Sequence, residues 1–180
     1  MTGVTSTNLI QGPASLWWAT FGAAEPAAIG TAPATPWVDL GGTKDGIEMG
    51  IADEFAVLEV DQVGYEVGRT RTKRVLTVQT VLAESTLKNL AIAINNTAPV
   101  TNVMEGDDGT AFFIPAYGAV LVDGLAPGGF RRRCIFRKVL QTDSVKSAYK
   151  KDGQTLIPVT FTGHWVSTSI KPFKIEDAVS

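Results

Sequence analysis

Residues 71–83 read Arg-Thr-Lys-Arg-Val-Leu-Thr-Val-Gln-Thr-Val-Leu-Ala, a β-branched run that favours an extended strand over a helix. Its even positions carry Arg74, Leu76, Val78, Thr80 and Leu82, and its odd positions Lys73, Val75, Thr77, Gln79 and Val81, so one face is mostly apolar and the other mixed. Ser85 then offers an N-cap, with Leu87, Leu90, Ala91 and Ile94 following at the spacing of one helical face. Asn95-Asn96 and Pro99 close that segment. The pattern predicts a long strand followed by a helix over residues 85–95, about three turns at 3.6 residues per turn. A strand of about twelve residues exceeds the usual five or six, so it is expected to run beyond the core.

Strand signals dominate the rest of the chain. Residues 1–15 are small and polar and predict an arm without a core of its own. Residues 16–21 (LWWATF) read as a strand, and residues 22–36 as an Ala/Pro/Gly loop long enough to be functional or partner-facing. Asp45-Gly46 between apolar runs is a hairpin signal, and residues 55–62 alternate with the period of a two-faced strand. Further strands are expected over residues 111–114, 119–122, 130–142 and 155–167, with Pro158 marking an edge or bulge in the last, and residues 171–180 as a short tail. Eight to ten strands with a single helix and almost no βαβ alternation predict a mainly β, antiparallel sandwich or barrel-like domain over residues 16–170.

Composition narrows the function classes. A length of 180 residues suits one domain, and 44% hydrophobic with 19% charged residues is the balance of a globular chain. Net charge is only −2, which gives no general drive toward nucleic acid. One cysteine, Cys134, cannot form an intramolecular disulfide, and with one histidine, His164, it cannot make a His/Cys zinc site. No signal peptide is read at the N-terminus, and the most apolar stretch, residues 16–34, is interrupted by Gly22, Glu25, Pro26, Gly30 and Pro33, so no membrane span is expected. The chain carries no Gly-x-Ser-x-Gly elbow, phosphate-binding loop or Gly-x-Gly-x-x-Gly turn, so a non-enzymatic protein without cofactor is expected. Glu105 beside Asp107-Asp108 falls short of the ligand count of a calcium loop, and no metal is expected there. His164 reads as a surface or interface histidine, and Cys134 as a small half-buried side chain.

Charge layout says more. Asp39, Asp45, Glu48, Asp53, Glu54, Glu59, Asp61 and Glu66 share their stretch with Lys44 alone. Arg69, Arg71, Lys73 and Arg74 follow without an acid, and Arg131, Arg132, Arg133, Arg137 and Lys138 form a second basic block. A molecule with acidic and basic sides associates head to tail into rings or filaments. Arg71, Lys73, Arg131, Arg132, Arg133 and Arg137 are the candidate inter-subunit residues, and reversing the charge of residues 131–133 is expected to impair assembly without unfolding the chain. Single-stranded nucleic acid is the rival partner for that block, but the stacking aromatics such binding needs are limited to Phe130 and Phe136. A second rival is a soluble barrel holding a small apolar ligand near Trp17, Trp18 and Trp165.

The run Trp37-Val38-Asp39-Leu40-Gly41-Gly42-Thr43-Lys44-Asp45-Gly46, the acidic strand ending in Asp61-Gln62, the long strand ending in Leu82-Ala83-Glu84, the segment Ser85-Thr86-Leu87-Lys88-Asn89-Leu90-Ala91, and the late Gly128-Gly129-Phe130-Arg131 together resemble the major tail tube proteins of long-tailed (siphovirus-type) bacteriophages. The resemblance spans about residues 16–166. It implies the tail tube fold, a β-sandwich with one flanking helix, six copies of which form a ring whose strands build a continuous inner barrel. It further implies rings stacked into a tube in the virion, assembled in the host cytoplasm, through which double-stranded DNA passes without sequence-specific contacts or membrane association. Terminal arms and a long loop would bridge rings, and partners would be the tape measure and the tail terminator and tip proteins. No immunoglobulin-like decoration is expected after this domain, which implies a bare tube. A DNA conduit favours an acidic lining, for which Glu48, Asp53, Glu59 and Asp61 are the candidates.

Overall fold

The computed structural model describes residues 3, 5–106 and 115–178. The expected strand over residues 111–114, and Asp107 and Asp108, lie outside them. Eight strands and one α-helix follow in the order β1 (Ser15–Thr20), β2 (Val38–Asp39), β3 (Thr43–Leu58), β4 (Gly68–Leu82), α1 (Leu87–Ala93), β5 (Gly118–Leu125), β6 (Arg131–Gln141), β7 (Ile157–Gly163) and β8 (Phe173–Asp177). The fold is mainly β, with every ladder antiparallel and a single sheet ordered β2-β1-β5-β6-β7-β4-β3.

One edge of β6 is shared by two partners. Residues 132–136 pair with β8 and residues 139–141 with β7, while β5 runs along the opposite edge. Residues 171–180, expected as a tail, thus contribute a strand. The two ends of the sheet, β2 and β3, are consecutive along the chain and joined by Leu40-Gly41-Gly42, so the sheet curls back toward its own start. Gly41 turns that corner at φ 80°, a left-handed conformation that favours glycine. A Cβ there would also strike the Glu84 carboxylate, which accepts from the Gly42 N–H at 3.0 Å.

Alternation splits the apolar side chains of the β1-β5-β6 layer between two cores. Leu16, Val120, Val122, Cys134, Phe136 and Val139 face Leu76, Val78, Leu82, Ile157, Val159 and Phe161 from β4 and β7. Ala19, Ala119, Leu121 and Ile135 point the other way, and Ala23 of the long loop and Trp37 just after it cover them. Trp37 is fixed by donating its indole N–H to Ala24 O at 2.8 Å. Each large side chain so buried contributes about 1.5–3 kcal/mol. In the loop over residues 22–36, Pro33 is buried and Ala23, Pro26 and Ile29 are half-buried, while Ala24, Ala27, Ala28, Ala32, Ala34 and Pro36 are exposed.

Two local readings are corrected, and the edge expected at Pro158 is found. Asp45-Gly46 does not reverse the chain. Lys44 pairs with Val81 and Ile47 with Thr80, so the two residues bulge out of one continuous strand, both at positive φ (65° and 82°). Thr80 Oγ1 donates to Gly46 O at 2.7 Å across this bulge. The helix is shorter than expected, and Thr86 caps it in place of Ser85, its Oγ1 accepting from Asn89 N at 3.1 Å. Its buried residues are Asn89, Ala91, Ile92 and Ala93, whereas Leu87 and Ile94 are exposed. The buried Asn89 amide explains the rotation, because its Nδ2 donates to both Leu40 O and Glu84 O at 2.9 Å and ties the helix to the sheet corner. Pro158 lies inside the sheet order, yet at a point where β7 pairs with β4 only, since β6 joins β7 from Phe161 onward.

Candidate assembly surface

β3 and β4, of 16 and 15 residues, form a hairpin that outruns the strand beside it. β7 supports β4 only over residues 76–82, so residues 68–75 and the β3 segment opposite them form a two-stranded ribbon with both edges free among the described residues. The outer edge of β3 has no partner strand over its whole length among the described residues. Met49, Ile51, Phe55, Val57, Leu58, Val60, Val63, Tyr65 and Val67 are all exposed on this hairpin. Chains normally blunt such an edge with lysine, proline or a bulge. Here residues 47–67 hold no lysine, arginine or proline, and the only bulge on β3 itself lies at its base.

Register assigns the two faces. Ile47 packs on the core and Ile51 pairs with the buried Leu76, so Ile47, Met49, Ile51, Asp53, Phe55 and Val57 share the core-side face. Glu48, Gly50, Ala52, Glu54, Ala56 and Leu58 face away. Glu48 and Asp53 are therefore on opposite faces, and Glu59 and Asp61 lie past the end of β3 in the turn. The four acids proposed from the sequence as one lining do not share a face.

The sequence blocks of opposite charge do not form opposite sides of the molecule, because the hairpin folds one onto the other. Asp53 accepts from Arg74 at 2.6 and 2.7 Å and has Arg71 at 3.7 Å, Lys73 reaches Glu54 at 3.3 Å, and Arg69 reaches Glu66 at 2.9 Å. A bulge at Thr72, whose hydroxyl donates to Glu54 O at 3.1 Å, lets Arg71 and Arg74 approach the same carboxylate. Exposed pairs of this kind are individually weak, and together they hold the ribbon in register. The hydrogen bonds from Arg74 hold the Asp53 carboxyl below its ordinary 3.8, helped by the charges of Arg74 and Arg71. Since the folded value is depressed, this contribution is complete above pH 3.8 and is lost as pH falls through the lower folded value. A carbon-detected carboxyl titration should find the Asp53 midpoint below 3.8, returning toward it in Arg74→Ala; a wild-type midpoint at or above 3.8 would contradict the pairing.

The second basic block is committed within the chain. Arg133 is 0% exposed and donates to Ala28 O at 2.9 Å, Thr31 O at 2.7 Å and Asp123 Oδ2 at 3.0 Å. Arg131 pairs with Asp123 at 3.3 Å, Arg132 forks onto Asp177 at 2.6 and 2.7 Å, and Arg137 pairs with Glu25. Arg133 has no surface to offer a neighbour, and Arg131 and Arg137 act with it to fasten the long loop. Phe136 lies in the core, stacked on Phe173 at 6.4 Å between centroids, and so is closed to a base. Cys134 is buried rather than half-buried, and burial pushes its thiol above the ordinary range. His164 sits edge-on to Tyr117 with its Nε2 unpartnered, and burial followed by the charge of Lys138 pushes its pKa down. The three tryptophans of the ligand reading do not converge. Trp17 faces the loop-covered core, Trp18 the main core, and Trp165 is exposed.

No helix of the described residues is long and apolar enough to cross a membrane. Compared with known proteins, the chain matches no family model and finds no curated relative.

Proposed function

We propose that this chain is a non-enzymatic structural subunit that assembles into rings stacked as the tail tube of a long-tailed bacteriophage, the virion conduit for DNA. The carrying observation is the β3–β4 ribbon, with two free edges and nine exposed apolar side chains. The outer edge of β3 in one copy pairs with the free edge of residues 68–75 in the next. Because β3 and β4 are antiparallel, repeating the hairpin by rotation keeps the new seam antiparallel too, and the ring closes the free edges of the ribbon. Each backbone hydrogen bond gained at a seam contributes about 1 kcal/mol. The ribbon face turned away from the domain lines the lumen, and with Glu54 offset by Lys73 and Glu48 on the same face it carries little charge. Passing DNA then meets no binding surface.

The family resemblance adds a hexameric ring and the tape measure, terminator and tip proteins as partners. Negative-stain microscopy and sedimentation of the purified chain test the proposal. Rings or tubes of constant width are expected, and a protein that stays monomeric at high concentration, with and without other tail components, refutes it.

A further inference from the structure

The two ends of the hairpin axis carry complementary surfaces. At the tip, Glu59 and Asp61 are exposed and have no ion-pair partner among the described residues, while Tyr65 beside them is 84% exposed. At the opposite end lies the turn between β6 and β7. Its position is fixed because Ile157 pairs with Leu82 at the far end of β4, and Gln154 Nε2 donates to Ala83 O at 3.3 Å. That turn exposes Lys146, Lys150 and Lys151, none ion-paired among the described residues, around Tyr149, which is 85% exposed. Lys150 and Gly153 bridge to form its tight end. Two acids in the same region, Asp143 and Asp152, leave the turn net positive.

At about 3.4 Å per residue, the fourteen steps from Gly68 to Leu82 separate the two ends by about 48 Å. They cannot meet within one straight hairpin. We infer that they meet between copies: the acidic tip of one subunit seats on the lysine turn of the next subunit along the tube axis, Tyr65 beside Tyr149. The contact joins two different patches and is therefore heterologous, so it propagates as an open stack rather than closing. Ring closure by strand pairing uses the edges of the ribbon, whereas this contact uses its ends. The two are independent surfaces, although the inference rests on the tube reading for its axis.

Charge reversal in two halves tests it. Glu59→Lys/Asp61→Lys places a basic tip above a basic turn, and Lys146→Glu/Lys150→Glu/Lys151→Glu places an acidic tip above an acidic turn. Each variant alone is expected to form rings but to lose tube mass by about tenfold or more. Mixed, the two sets of rings are expected to alternate and restore tubes containing both chains. Tubes of wild-type length from either variant alone overturn the inference, as does a mixture of folded rings that fails to stack. All five positions are exposed, and circular dichroism of each variant checks that folding is intact. A wild-type chain that makes no ring at all overturns the tube reading itself, whereas wild-type rings that never stack overturn only this contact.

Discussion

Arg133→Met is expected to destabilise the chain by about 3–5 kcal/mol, the cost of leaving a buried charge without its partner. The side chain is fully buried, and its loss leaves the Asp123 carboxylate, itself 9% exposed, with only the partly exposed Arg131 at 3.3 Å, and leaves the carbonyls of Ala28 and Thr31 without this donor. Total stability of a domain this size is about 5–15 kcal/mol, so the variant stands near the edge of folding. Arg133→Met/Asp123→Leu removes both buried charges and should recover part of the loss, because what remains is two unpaired carbonyls and an Arg131 that is already 37% exposed, not a buried ion. Urea unfolding followed by tryptophan fluorescence measures both. A single variant within about 1 kcal/mol of wild type would mean that the loop over residues 22–36 is not fastened by this guanidinium. The same geometry revises what reversing residues 131–133 should do: Arg133→Glu unfolds the chain, and any effect on assembly is secondary to that.

The second large effect concerns the ribbon. Phe55→Lys/Val57→Lys is expected to cost the monomer no more than about 1–2 kcal/mol, since both side chains are exposed and touch no core, and the cost comes from placing each lysine opposite Arg71 or Arg69. Assembly, in contrast, should be abolished. Lysines on an edge strand are a common natural block to strand addition, because a neighbouring strand would have to desolvate them. Sedimentation velocity of wild type and variant at matched concentration reads the difference. Assembly at wild-type level by the variant would show that the core-side face of the ribbon is not used. Unfolding by the variant would show that these residues stabilise the monomer itself.

Much of the fold was legible because alternation is a local property. The even positions of residues 76–82 are the buried ones, and the strands at residues 16–21, 119–122 and 130–142 lie within a residue or a few of their expected bounds. The helix was legible in kind but not in orientation, since the Asn89 amide found its partners in Leu40 and Glu84, one of them far away in sequence. Asp45-Gly46 carries the left-handed conformations that its residues favour, but whether two such residues make a turn or a bulge depends on the strand waiting to pair beyond them.

The charge pattern shows the division most clearly. Sequence by itself determined that acids and bases come in blocks and that a long strand would outrun its core. Only the tertiary structure decided that the first two blocks face each other across a hairpin, and that Arg133 turns inward to hold a loop more than ninety residues earlier in the chain. The reason is that side-chain direction along a strand is fixed by a two-residue period, whereas the partner a charge meets depends on which distant segment lies opposite. Glu59 and Asp61, without an ion-pair partner among the described residues, stand apart from their block only once the hairpin has paired Asp53, Glu54 and Glu66. Lys146, Lys150 and Lys151 lie outside the blocks, and only the fold carries their turn to the opposite end.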